Sequence, residues 1–392
     1  MPLDFSRRTL LGSMTAASYS RILGANDRIQ LGLIGCGGRG LYVTGLFQKE
    51  QAQVTAVCDV YGQRIDEALQ KAPGARSFTD HRKLLEQKDV DVALVATPDH
   101  WHADITIDAV HAGKDVYVEK PLTYRREEGP RIIREVRLSG RICQVGLQQR
   151  SGPQFIKVRD EYVKSGRLGT ITYVRSWWHG GPPRPLRRLQ MEKPANLDWA
   201  RYLGQVRWRD WSPAQYFHYR GFLDFGGGKL TDLFTHWIDA IHMMMDNDQT
   251  LAVMTAGGLY HDFHDGRDAP DTFSVTLEYR GPFLVTFDST SLPIPGYSIE
   301  ICGTEGRVLV DRDKIEYRKA EKNAQPVVER IDHDITIEHV RNFLECCRTR
   351  RTPNCDPLPG HRSAQVSHLA VQSYVEKRRI RFDPDRELVL PG

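Results

Sequence analysis

The 392-residue sequence predicts an α/β protein in two parts. The first is a doubly wound parallel sheet, and the second an α+β domain on a large, open, mostly antiparallel sheet. Three observations carry this. Short apolar runs alternate with helical periodicity from residue 28 to about 146. Between residues 251 and 310 apolar runs follow one another with no helix between them. The first apolar run stops abruptly at Gly35-Cys36-Gly37-Gly38-Arg39-Gly40.

The runs at 29–34, 54–58, 92–96, 116–118 and 142–145 are nearly continuous in apolar character, as strands covered on both faces are. Helical stretches at 61–71, 80–87, 102–111 and 127–139 separate them. Gly146-Leu-Gln-Gln-Arg150 then reads as a domain junction, dividing the chain into 26–148 and 149–392. Beyond it, 155–165 reads as a helix, 171–178 as a strand and 180–210 as a long irregular excursion. The stretch 226–245 reads as one helix entered through three glycines. Runs at 251–257, 272–279, 283–288, 297–302 and 307–310 are serial strands, and 337–348 and 363–377 are closing helices.

The glycine turn sits where strand passes to helix. Its G-x-G-x-x-G spacing serves a tight turn at Gly35, backbone approach to a pyrophosphate at Gly37 and close helix packing at Gly40. The helix that follows points its positive end at the anion. Asp59 ends the second strand, 19 residues after Gly40, where a carboxylate accepts from ribose hydroxyls and repels a 2′-phosphate. This order predicts a bound dinucleotide, NAD in preference to NADP. Arg64 nearby is of the type that accommodates the phosphate, and it keeps NADP as the alternative. Two further stretches fall at carboxyl ends of strands, where open α/β sheets bind ligands: Thr97-Pro98-Asp99-His100-Trp101-His102 and Glu119-Lys120-Pro121.

Composition narrows the classes. Hydrophobic residues are 40% and charged residues 27%, as in a soluble globular protein. The net charge of +4 is mild and the basic residues are dispersed apart from clusters at 184–188 and 348–351, which predicts no nucleic-acid partner. No apolar run reaches the ~18 residues of a membrane span. Seven cysteines without ligand spacing predict neither a disulfide framework nor a metal site. Residues 1–25 carry Ser6-Arg7-Arg8-Thr9-Leu10-Leu11 before an Ala/Ser-rich segment. This resembles a twin-arginine export signal and predicts a periplasmic protein, with a cytoplasmic one if the segment is an ordinary basic arm.

With the glycine turn, the Thr97–His102 stretch and Glu119-Lys120-Pro121 in this order, the chain resembles the Gfo/Idh/MocA family of glucose–fructose oxidoreductases and inositol dehydrogenases. The resemblance extends through Gly226-Gly-Gly-Lys-Leu-Thr-Asp-Leu-Phe-Thr-His236 and Gly360-His-Arg-Ser363. It implies a reacting centre of Lys120, Asp232 and His236, with cofactor contacts from Gly35, Cys36, Gly37, Gly38, Arg39, Gly40, Asp59, Arg64, Thr97, Pro98, His100, His102, Glu119 and Lys120. It also implies a homo-oligomer, dimer or tetramer, through the open sheet. Residues i and i+4 share a helix face, so Asp232 is expected to hold the His236 ring and favour its protonated form, with Lys229 and Asp239 on the same stripe. Trp177, Trp178, His179, Tyr216, His218 and Arg220 are candidates for a sugar pocket.

The implied chemistry is reversible hydride transfer at a secondary alcohol of a sugar, glycoside or inositol-like polyol. His236 is the expected acid/base and Lys120 steadies the oxygen, although family members differ in which of the two is the base. One alternative is a redox-neutral glycoside hydrolase or lyase that keeps its NAD and returns the hydride within each cycle. A non-catalytic dinucleotide sensor is the other, but it has no need of Lys120, Asp232 and His236 together.

Overall fold

A computed structural model describes residues 28–180, 190–261, 266–294 and 296–391. The twin-arginine stretch and the 184–188 basic cluster lie outside them. The chain opens with β1 (Gln30–Ile34), α1 (Gly38–Lys49), β2 (Gln53–Cys58), α2 (Gly62–Lys71), β3 (Arg76–Phe78) and α3 (His81–Leu85). It continues with β4 (Val92–Val95), α4 (His102–His111), β5 (Asp115–Val118), α5 (Glu128–Ser139) and β6 (Cys143–Val145). These strands pair in parallel in the order β3-β2-β1-β4-β5-β6. Strand order reverses between β1 and β4, leaving a crevice at their carboxyl ends. The edge strand β3 had no signal in the sequence. It is three residues long and largely exposed, so it lacks the apolar run that marks the central strands.

Past β6 come α6 (Pro153–Lys157), β7 (Ile171–Trp178), α7 (Trp199–Leu203), α8 (Pro213–Phe217) and α9 (Leu233–Met245). A series of strands follows: β8 (Thr250–Gly258), β9 (Thr272–Tyr279), β10 (Leu284–Thr290), β11 (Tyr297–Gly303), β12 (Gly306–Val310), β13 (Lys314–Lys319) and β14 (Val327–Arg330). Helices α10 (Ile335–Thr349) and α11 (Pro357–Glu376) and strands β15 (Ile380–Asp383) and β16 (Leu388–Leu390) close the fold. Ten strands form one sheet, β14-β13-β12-β11-β7-β10-β9-β8-β15-β16, antiparallel except where β7 meets β10. Its inner face packs on α9 and α11 through Phe234, Trp237, Ile241, Phe287 and Leu369, all at most 1% exposed.

Two departures from the expected elements matter for the site. The helix foreseen over 226–245 begins only at Leu233. Gly228 has φ +62°, a left-handed value that interrupts helix, so the glycines form a separate short 3₁₀ turn (Gly228–Leu230). The second departure is α10, which packs against the first sheet. Its Phe343 meets Phe47 and Tyr117 edge-on, with ring centroids 5.9 and 5.7 Å away. Removing that ring should cost about 3–5 kcal/mol, the usual range for a buried Phe→Ala. The tail motif has a packing reason as well. A Cβ on Gly129 would overlap the His361 ring, and one on Gly360 would stand 2.6 Å from a Val145 methyl, so these glycines let side chains of α11 and β6 seat directly on the backbones of α5 and α11.

Candidate active site

The crevice at the β1/β4 switch is a deep cleft lined by Gly35, Gly37, Gly38, Arg39, Asp59, Arg64, Thr97, Pro98, His102, Glu119 and Lys120. Gly35 has φ +93°, and a Cβ on it would stand 2.6 Å from the Ala96 carbonyl. A Cβ on Gly40 would overlap the Gly35 carbonyl oxygen, whereas around Gly37 and Gly38 there is open space. Helix α1 starts there with no side chain capping it. Its first N–H groups face a cradle that a side chain would fill, which is the shape and polarity that a dinucleotide pyrophosphate requires.

Asp59 stands at the far end. Its Oδ2 accepts from the Cys36 amide at 2.8 Å and its Oδ1 from the Tyr61 amide at 3.0 Å, so the carboxylate is fixed toward the cleft. Burial pushes its pKa up against those bonds. Cys36 acts through this amide alone, because its thiol is buried near the Cys58 carbonyl. Arg64 lines the same end, paired with Glu67 at 2.8 Å. Arg39 pairs with Glu119 at 2.7 Å across the turn.

The two histidines after Pro98 differ from the expectation. His100 is fully buried in aromatic side chains, with Nε2 on the Tyr202 carbonyl at 2.8 Å, and it does not line the cleft. His102 does line it, but both ring nitrogens face carbonyls, Pro121 at 2.7 Å and Thr97 at 2.9 Å. It therefore ties the two ligand-edge loops together and has no nitrogen left for a cofactor.

At the inner end the chain brings Lys120, Asp232 and His236 close, though not in the expected pairing. The Lys120 ammonium donates to both the carboxylate and the main-chain carbonyl of Asp232, the latter at 2.8 Å. Arg220 reaches the same carboxylate at 3.3 Å. Burial raises the Asp232 pKa, but Lys120 and Arg220 outweigh it and hold the group at about 2. Asp232 is the N-cap of α9, and its carboxylate is taken by Lys120 and Arg220, with no bond to His236. His236 instead has Nδ1 3.1 Å from Gln149 Oε1 and leans on the Trp178 ring, with centroids 5.9 Å apart. Burial, then Lys120, Arg312, Arg39 and Arg220, push its pKa well below the usual 6.5. At neutral pH these surroundings favour the neutral ring, against the expected imidazolium.

The stripe foreseen beside it also separates. Lys229 donates to Ser291 at 2.8 Å, and burial lowers its pKa to about 8. Asp239 is fully buried on Arg150 at 2.9 Å and Ser363 at 2.9 Å. Among the sugar-pocket candidates, Trp178 flanks His236, whereas Tyr216 and Arg220 line the dinucleotide cleft.

Sequence reasoning missed a strap. From Asn196 to Arg220, beginning within the 180–210 stretch expected to be irregular and running past it, the chain returns to the first domain. The Asn196 carbonyl accepts from the Gly62 amide at 3.0 Å, the Asp198 amide donates to Val60 at 2.9 Å, and Arg201 donates to Thr79 at 2.6 Å. Arg201, Tyr202, Tyr216, Phe217, Tyr219 and Arg220 then roof the cleft. The density of Trp and Tyr in 199–219 was its one signal. Gln149, in the Gly146–Arg150 junction, carries no local sign of its pairing with His236, which only the fold creates. Among the described residues no helix is long and apolar enough to cross a membrane, and no group of His, Cys, Asp or Glu is arranged to hold a metal ion.

Comparison with known proteins agrees with this geometry. Residues 29–147 match the family described as "Oxidoreductase family, NAD-binding Rossmann fold", and residues 176–391 match "Oxidoreductase family, C-terminal alpha/beta domain". Myo-inositol 2-dehydrogenase of Thermotoga maritima is 22% identical over 366 residues, covering 91% of this chain and 99% of that one. A levoglucosan dehydrogenase, solved with NADH and levoglucosan, shares the fold at a TM-score of 0.72 and 18% identity, over 93% of this chain and all of that one. An alpha-N-acetylgalactosaminidase of Shewanella oneidensis is 29% identical over 155 residues, 37% of this chain and 34% of that one. The glycine cradle, the Asp59 carboxylate and both family matches lead to one assignment: the chain is an NAD-dependent oxidoreductase and belongs to the Gfo/Idh/MocA family.

Proposed function

We propose that the protein oxidises, reversibly, a secondary hydroxyl of a sugar or inositol-like polyol. The observation that carries this is the Lys120 ammonium, tied by Asp232 on two of its donors, beside a buried neutral His236. A bound nicotinamide supplies the hydride acceptor for oxidation and the donor for reduction. Gly37, Gly38 and the first amides of α1 would hold its pyrophosphate and Asp59 its adenosine ribose. With Gln149 accepting from Nδ1, the His236 ring leaves the Nε2 lone pair to take the hydroxyl proton. The third N–H of Lys120 is directed to the substrate oxygen and stabilises negative charge on it. Asp232 orients Lys120 and Gln149 orients His236. NADH formation from NAD and a panel of sugars and polyols tests the reading, and silence across the panel from protein that binds NAD would sink it.

A second reading has its own support. Residues of the 196–220 strap line the cleft and would slow nucleotide exchange, and the partial likeness to the Shewanella oneidensis galactosaminidase concerns a glycoside-cleaving protein. A redox-neutral cleavage, with hydride removed and returned in each turnover, would use the same residues. Aglycone release from glycosides without added NAD distinguishes it. The Arg7-Arg8 segment supports export in folded form with the nucleotide already loaded, and the open face of the ten-stranded sheet supports a homo-oligomer. Loss of the nucleotide on brief dialysis would count against a resident cofactor. A cytoplasmic location of the full chain in a fractionated native host would count against export, and a monomeric mass in solution against the oligomer.

A further inference from the structure

Arg312 occupies the turn between β12 and β13, next to the reacting end. Its guanidinium carbon lies 4.8 Å from the centre of the Trp178 ring, the same ring that flanks His236. The other cations near His236 have carboxylates: Lys120 and Arg220 share Asp232, and Arg39 has Glu119. Arg312 has none among the described residues, and its Nε is buried without a hydrogen-bond partner. Neither neighbouring acid pairs with it: Asp311 accepts from Ser298 at 3.1 Å and Asp313 from Tyr297 at 2.6 Å, although the Asp313 charge acts on the guanidinium from a distance. The turn is pinned, because Gln154 donates to the Arg312 carbonyl at 3.1 Å. Trp178 is pinned too, stacked on Tyr297 with centroids 5.2 Å apart. Arg312 is half-buried, and holding a guanidinium partly out of water without a partner is costly unless a ligand completes it; burial lowers its pKa accordingly. With one face on Trp178 and Nε buried, the edge left to a ligand is that of the two terminal nitrogens, and it matches a planar oxyanion in two parallel bonds.

We infer that the substrate is an anionic sugar, carrying a carboxylate or phosphate that Arg312 grips while His236 and Lys120 address a hydroxyl of the same molecule. This rests on the sugar-oxidation reading above. Arg312 is thus a specificity residue. Titration calorimetry on NADH-loaded full-length protein tests it, with glucuronate, galacturonate and gluconate against glucose, galactose and myo-inositol, and with glucose 6-phosphate as a separate arm. Acids should bind at least about tenfold more tightly than the neutral sugars. Arg312→Gln should weaken acid binding about 100-fold, and Arg312→Lys should restore part of it, as a point charge without the fork does. NAD affinity should be unchanged in both variants. Preference for the phosphorylated sugar over the acids identifies phosphate as the source of the oxyanion. Equal binding of acids and neutral sugars overturns the inference and leaves the oxidoreductase reading standing. Weaker NAD binding in Arg312→Gln also overturns it, because the guanidinium would then serve the dinucleotide phosphates. Binding of no sugar in any arm removes the inference together with the sugar reading.

Discussion

The two ends of the cleft are built by different means. At the dinucleotide end the work is done by backbone: a left-handed Gly35, open space over Gly37 and Gly38, uncapped helix amides and one carboxylate fixed by two amides. At the reacting end it is done by side chains from both domains, with Lys120, Gln149, Arg220 and the Asp232–His236 pair arriving from four separate segments of the chain. A site made of backbone tolerates change everywhere except where a side chain would intrude. A network of paired charges around a buried lysine tolerates deletion poorly, because removing Asp232 leaves Lys120 uncompensated out of water.

The largest effect expected from this contrast is at the reacting end. Lys120→Ala and His236→Ala should each lower kcat at least about 1000-fold, the upper range for losing a positioned acid/base, with NAD affinity within about threefold of the parent. Stopped turnover with intact nucleotide binding, read by protein fluorescence, separates the two ends. Loss of both together would merge them. At the other end, Gly37→Val puts a side chain into the open cradle at φ −72°, a value that any residue adopts. NAD affinity should fall about 100-fold while the melting temperature stays within a few degrees. A large drop in melting temperature instead would make the turn a packing element.

A smaller effect follows at Asp59. Asp59→Asn exchanges one acceptor oxygen for a donor and so loses one of the two amide bonds. NAD affinity should fall about tenfold and the preference for NAD over NADP should narrow, as paired dissociation constants would register. The smallest is a shift on the pH axis. His236 titrates below 6.5 in the folded protein, so the neutral ring persists above that lowered pKa and is lost as pH falls through it. The acid limb of kcat/KM for oxidation should therefore lie below pH 6.5. An imidazolium held by Asp232 would put the limb above it.

Legibility followed the same division. The glycine turn, Asp59 and the parallel strands could be read because each rests on local rules: a positive φ, an apolar run, a spacing along one βαβ unit. Lys120 and His236 could be named from a resemblance, but their surroundings could not. The i, i+4 rule considers one helix alone, and Lys120 and Arg220 reach the Asp232 carboxylate from elsewhere in the chain. His100 and His102 carried the composition of a ligand pair, and tertiary contacts turned one into core and the other into a clamp. The strap was read as irregular because its reason for being ordered is the first domain, more than a hundred residues away.

By itself, then, the amino-acid sequence determined the doubly wound sheet, the phosphate-cradling turn and the serial strands of the second domain, since periodicity and backbone conformation are properties of neighbours in the chain. Only the tertiary structure decided which acid serves which base. The protonation state of His236 depends on burial and on Lys120, Arg312, Arg39 and Arg220. Those groups meet across two domains, and Coulomb forces act through space with no regard to order along the chain.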